Sequence, residues 1–331
     1  MDVQLKAMNQ NVYPMLELDD TDGDVQLLSS LTKGALFPSV ETLEGNCQLK
    51  VGDSDAYPIV RSVPAADPWA IESKSLTFVA SGTYYQGLAI YNGYAIYFND
   101  SSSAFNVKNV ADGTTVVLNK NFQSGDSNRH TNTLNFGTLK YEQSDTYPLL
   151  YGSGNLGELI TTIDVYRVVN NNGDWSVTKV QTIDFSNISS YGDVALWGDK
   201  MVIKNGATQG TVYICNCPPL YIDGELQATY TMQPSDVISQ FNLTQYTYVQ
   251  GYTIVGNYLL NLQTQNTAYN YLTIYNLTTG RKIADLGFNE DGVTFECEQF
   301  AHSDALDKFY LFTRYHGYYE VTFTPTMPTG A

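Results

Sequence analysis

From about residue 75 to the C-terminus the chain is a succession of short runs in which apolar and polar residues alternate, each closed by Gly, Asn or Asp. Period-two alternation bounded by turn residues predicts strands joined by tight turns. Tyr84-Tyr85-Gln86-Gly87-Leu88-Ala89-Ile90-Tyr91-Asn92-Gly93-Tyr94-Ala95-Ile96-Tyr97-Phe98 sets the pattern, and Tyr248-Val249-Gln250-Gly251-Tyr252-Thr253-Ile254-Val255-Gly256-Asn257-Tyr258-Leu259-Leu260 repeats it. In both, Gln-Gly opens a run, an Asn/Gly pair turns it, and a second run begins with Tyr. Third runs follow at similar distance, Phe105 to Gly113 and Leu272 to Gly280. Such recurrence is the mark of a structural repeat.

Three further units fit the same scheme. One opens at Arg129 to Phe136 and turns at Asn170-Asn171-Asn172-Gly173, a third opens at Asp193 to Trp197, and a fifth at Glu296 to Phe300. Openings near residues 86, 130, 193, 250 and 297 are spaced as four-stranded blades with variable loops are, roughly 40 to 60 residues apart. A lone blade has open edges and little apolar surface, so blades must stack on one another. The expected fold is all-β, a β-propeller of about five four-stranded blades over residues 75–326. The strand at 75–80 is expected to complete the last blade and close the ring. The long spacing after His130 leaves room for an extra strand pair.

Residues 1–74 read differently, as an arm or attachment segment. They hold five of the eleven prolines, the acidic run Glu17 to Asp24, and a weak helical pattern at Val25 to Leu31. Asp20, Asp22 and Asp24 alternate as calcium ligands do, but Val25 and Leu31 stand where a calcium loop needs Gly and a bidentate acid, which favours a solvated turn. Residues 327–331 form a short tail.

Charge narrows the partners. The 331 residues carry a formal charge of −17, with no basic stretch, which disfavours nucleic acid and anionic membranes. No apolar run approaches the ~20 residues of a membrane span, and the first residues do not read as a leader. The 26 tyrosines suit packing between strands, and also surfaces that bind sugar-like ligands. Cys47, Cys215, Cys217 and Cys297 lack both disulfide and zinc spacing and read as reduced, buried thiols. Gly152-Ser153-Gly154-Asn155-Leu156-Gly157 has dinucleotide-type glycines, yet strand-like residues follow where a helix is needed, so it reads as a hairpin loop. No cofactor or metal is expected.

The openings of the inner strands should converge on one mouth of the central channel. That convergence would place Gln86, His130, Asn132, Asp193, Gln250, Glu296 and Glu298 in a polar ring flanked by Tyr85 and Trp197. Such a ring can bind a small ligand, or it can hydrogen-bond buried backbone and channel water.

The ordered motifs Tyr85-Gln86-Gly87, His130-Thr131-Asn132, Tyr147-Pro148-Leu149-Leu150-Tyr151, Val165-Tyr166-Arg167-Val168 and Val180-Gln181-Thr182-Ile183 resemble a β-propeller family of gut Bacteroidetes surface proteins and of tail or fibre proteins of phages infecting them. The resemblance spans about residues 75 to 325. It implies adhesion or glycan recognition. Combined with the N-terminal arm, it implies a virion structural protein, a tail-fibre or receptor-binding component. Its arm would meet other virion proteins and its head a host-surface glycan or receptor; a homo-oligomer is left open. Alternatives are a bacterial surface or periplasmic glycan-binding propeller, and a propeller hydrolase or lyase using His130 with Glu296 or Glu298 as acid and base.

Overall fold

A computed structural model describes residues 69–84, 87–99, 103–123, 131–153, 161–189, 192–204, 210–243, 248–265 and 269–328, plus six backbone strands before residue 63. The chain divides into two units, Met1–Pro68 and Trp69–Ala331. In the first, the described strands form a four-stranded sheet and the hairpin Ser39–Leu43 with Asn46–Lys50. Val25–Gln26 is a strand of that sheet. The rest of the expected helical stretch lies outside the described residues, as do Asp20, Asp22 and Asp24 and the glycines at 154 and 157.

The described residues of the second unit form five blade sheets and one separate two-stranded sheet. The inner strands of the blades are Leu88–Tyr91, Leu134–Phe136, Asp193–Trp197, Tyr248–Val255 and Cys297–Ser303. From each, the chain moves outward through antiparallel neighbours, as in blade 1, where Tyr94–Phe98, Ala104–Asn109 and Thr115–Asn121 follow in order. The chain is a five-bladed β-propeller. Asn-Gly pairs make the tight hairpins because both central residues of this turn need positive φ: Asn92 and Gly93 sit at 49° and 77°, Asn172 and Gly173 at 53° and 95°.

Ring closure follows the expected route. Ser73–Ala80 pairs antiparallel with Gly317–Thr324 and becomes the outer strand of blade 5. Trp69 reinforces the join: its indole N–H donates to the Pro325 carbonyl at 3.2 Å, and its ring meets Tyr258 edge-on at 5.0 Å.

Every blade is apolar on both faces, because its neighbours cover both. In blade 3, Met201 and Ile203 pack toward blade 2 with Tyr151, Ile163 and Val165, while Val202 packs toward blade 4 with Tyr252 and Leu259. Five such interblade clusters close the circle, and the last joins Tyr310, Phe312 and Tyr318 of blade 5 to Leu88 and Tyr97 of blade 1. Each fully buried Leu, Ile or Phe there stabilises by about 1.5–3 kcal/mol. Tyrosines 84, 97, 151, 166, 252, 275, 310 and 318 are among these buried side chains, as their abundance suggested.

Blade 3 departs from the simple scheme. Between its third strand, Gly210–Asn216, and its outer strand, Val237–Leu243, the chain makes a small hairpin of Tyr221–Ile222 and Glu225–Leu226. It then lays Thr229–Thr231 parallel along the outer strand of blade 2. Sheet 2 therefore has a fifth strand, supplied by the following blade rather than by an extra pair after His130. Cys215 and Cys297 are buried free thiols and Cys217 is a half-buried one.

Candidate functional site: the two ends of the channel

The inner strands all run the same way along the axis, so the ring has a mouth where they begin and another where they end. The sequence placed its polar residues at the beginning. Of these, Tyr85, Gln86 and His130 lie outside the described residues. The others fall into two groups.

Asp193 and Lys204 face each other across the first hairpin of blade 3, with Oδ2 and Nζ 3.9 Å apart and side chains 2% and 0% exposed. Burial pushes the Asp193 carboxyl up to about 6, against the attraction of Lys204 and a hydrogen bond from the Asn132 amide. Burial likewise brings the Lys204 ammonium down to about 8. The fully buried Tyr252 hydroxyl, beside Asp193, is held well above the ordinary tyrosine range by the same desolvation. Neither that hydroxyl nor Asp193 Oδ2 has a hydrogen-bond partner among the described residues.

The second group joins blades 4 and 5. Gln250 donates to Glu296 at 3.2 Å, and Arg314, from the turn after Lys308–Thr313, pairs with Glu296 at 2.9 Å and approaches Glu298 at 3.8 Å. The neighbouring carboxylates hold the Arg314 guanidinium above its usual value. Asn132, Asp193, Gln250 and Glu298 are all buried.

Between the mouths, polar side chains bolt the inner strands together. The Asn135 amide donates to the carbonyls of Val194 (2.9 Å) and Tyr252 (2.8 Å), tying blade 2 to blades 3 and 4. Gln299 donates to the Leu88 carbonyl at 2.8 Å and ties blade 5 to blade 1. Gly251 leaves the room Gln299 needs, since a Cβ there would stand 2.1 Å from Gln299 Oε1.

The opposite mouth is open. A cavity of about 600 Å³ is lined by the ends of all five inner strands: Leu88 to Tyr91, Asn135 to Thr138, Leu196 to Lys200, Thr253 to Gly256, and Ala301, His302 and Asp304. Trp197 stands here, at the far end of its strand from Asp193. Its indole N–H donates to Asn257 Oδ1 at 3.2 Å, and Lys200 lies 5.9 Å over its ring. Lys200 is paired locally with Asp199, and the His302 imidazole lies against Asp304, both at 2.9 Å. Among the described residues no group of three or more His, Cys, Asp or Glu is placed to hold a metal ion.

Of the sequence-derived site residues, then, Trp197 lines the cavity, and the described polar ones are engaged at the other mouth. Sequence reasoning missed Lys204, Arg314, Asn135 and Gln299. A lysine or arginine at a strand end reads as solvent-facing, and only the register, which sets Lys204 opposite Asp193, reveals its burial.

No protein-family model matches this chain, and no curated protein matches it. Solved structures with a similar chain course include the glutaminyl cyclase of Myxococcus xanthus, at 10% identity and TM-score 0.46, over 76% of this chain and 95% of that one. A luciferin-regenerating enzyme matches at 10% identity and TM-score 0.44, over 78% and 98%, and the Xanthomonas campestris gluconolactonase XC5397 at 9% and 0.38, over 70% and 68%.

Proposed function

We propose that the propeller is a ligand-binding head for a host-surface glycan, carried by a phage tail-fibre or receptor-binding protein. The observation that supports binding is the cavity at the strand ends. Its volume lies in the range of small-ligand sites, about 300–1,000 Å³, and Tyr91, Phe136 and Trp197 stand in its wall with Asn135 and Thr253 at its floor. Aromatic faces beside neutral hydrogen-bonding groups suit the apolar face and hydroxyls of a pyranose. The virion setting is supported by the resemblance of the ordered motifs to phage tail and fibre propellers and by an N-terminal unit preceding the ring. The experiment is a glycan array probed with the full chain, paired with immunogold microscopy using antibody to residues 75–331. Binding without turnover and label on phage tails or fibres are expected; label confined to bacterial envelopes would move the protein to the cell surface.

A second reading, a glycan hydrolase or lyase, is favoured by one observation. Asp193, with a carboxyl at about 6 beside Tyr252 and Lys204, is tuned as a general acid or base would be. Its burial to 1% exposure weighs against contact with substrate. Release of reducing ends from an array-selected glycan, abolished by Asp193→Asn, would establish this reading.

A further inference from the structure

The five inner strands end in matched positions, and those positions carry a chemical bias. One residue before the turn-flanking pairs Tyr91↔Tyr94, Trp197↔Lys200 and Val255↔Tyr258 come Ile90, Leu196 and Ile254. Blade 2 contributes Phe136, the last residue of its inner strand, and blade 5 contributes His302. All five line the cavity and are half-buried. Four-fifths of this ring is aliphatic or aromatic. The one imidazole is turned toward Asp304 and packed on Phe309 at 4.6 Å.

Below this collar the floor is polar but nearly saturated. Both amide hydrogens of Asn135 are held by backbone carbonyls, and its Oδ1 lies 3.4 Å from the Thr253 hydroxyl. What remains for a ligand is hydrogen bonding with neutral groups. Among the described lining residues the one lysine, Lys200, already has Asp199 as its carboxylate partner, and the His302 imidazole stands between Asp304 and Asp307, at 2.9 and 3.4 Å. With a formal charge of −17 on the whole chain, an anionic ligand gains nothing here.

Resting on the glycan reading above, the geometry points to a neutral terminal 6-deoxy sugar, whose C6 methyl is its apolar substituent, as the occupant of the cavity. The substituent fills the collar of Ile90, Phe136, Leu196 and Ile254 while ring hydroxyls meet Thr253 and Asn135. An unsubstituted hexose would instead place a hydroxymethyl group against that collar, where it finds no partner. One apolar group in such a pocket discriminates by about ten-fold or more.

The test is isothermal titration of the full chain with two matched pairs, methyl α-L-fucoside against methyl α-L-galactoside and methyl α-L-rhamnoside against methyl α-L-mannoside, with glucuronate as the anionic probe. At least one substituted sugar is expected to bind about ten-fold or more tighter than its parent, with glucuronate not binding. Leu196→Asn should shrink that ratio below about three-fold; if that variant fails to fold, Ile254→Thr gives the same readout. Equal binding within every pair, binding of glucuronate, or a ratio unmoved in the folded variant would overturn the inference while leaving the glycan reading intact. Failure of any sugar, and of any glycan on the array, to bind would overturn both.

Discussion

The two mouths of this ring are built from the same five strands, yet they use polarity in opposite ways. At the strand beginnings, Asp193, Lys204, Gln250 and Glu298 are buried, and the half-buried Glu296 and Arg314 pair beside them. At the strand ends Lys200 pairs with Asp199, His302 lies against Asp304, and an apolar collar surrounds open space. Polar residues clustered at a ring axis therefore do not by themselves mark a ligand site. What distinguishes the two ends is the open space at the strand ends, since the polar side chains at both are engaged with protein.

That contrast can be broken most severely at Asp193. Removing one partner of a buried ion pair costs about 3 kcal/mol or more, so Asp193→Ala should lower the midpoint of chemical denaturation steeply; a loss under about 1 kcal/mol would mean the pair does not hold the blade. Next comes Asn135→Ala, which takes the side-chain donor from the carbonyls of Val194 and Tyr252. A loss of about 2 kcal/mol is expected from stripping buried acceptors, measured in the same way.

The buried pair also predicts a pH profile of opposite sign to the usual carboxylate case. Between about 4 and 6 the unfolded Asp193 has released its proton while the folded one retains it. Stability contributed by this group therefore falls as pH rises through that window, by at most about 1.4 kcal/mol per pH unit. Between about 8 and 10.5 folded Lys204 releases its proton before the unfolded chain does, so its contribution rises with pH. Denaturant titrations across pH should show the acid limb in the parent chain and lose it in Asp193→Asn. The smallest effect on stability is expected at the other mouth, where Trp197→Ala should cost under about 1 kcal/mol while weakening glycan binding about ten-fold.

Much of this architecture is legible in the chain itself. Asn92-Gly93 and Asn172-Gly173 announce their hairpins because few other pairs tolerate two positive φ values. Ser73–Ala80 is legible as the closing strand because a β run ahead of the first inner strand has no place in blade 1. Thr229–Thr231 is not legible: a three-residue Thr-Tyr-Thr run is indistinguishable from many others here, and its parallel docking on blade 2 follows from tertiary position alone.

The site divides similarly. Grouping Asp193, Asn132, Gln250, Glu296 and Glu298 near the strand openings agrees with where the strands begin, but the partners of Asp193 and Glu296, Lys204 and Arg314, carry no sequence signal. Trp197 was grouped with them although four residues of strand, about 13 Å at 3.3 Å per residue, separate it from Asp193. The collar of Ile90, Phe136, Leu196, Ile254 and His302 emerges only when five hairpins are set in register.

The central claim is that the cavity at the strand ends binds and the polar groups at the strand beginnings hold the ring together. Its most direct test is calorimetric titration of the tightest array-selected glycan into Trp197→Ala and Gln250→Ala, with thermal melts of both. The account predicts about ten-fold weaker binding for Trp197→Ala with a near-parental melt, and unchanged affinity for Gln250→Ala. Lost binding in Gln250→Ala with full affinity in Trp197→Ala would contradict it.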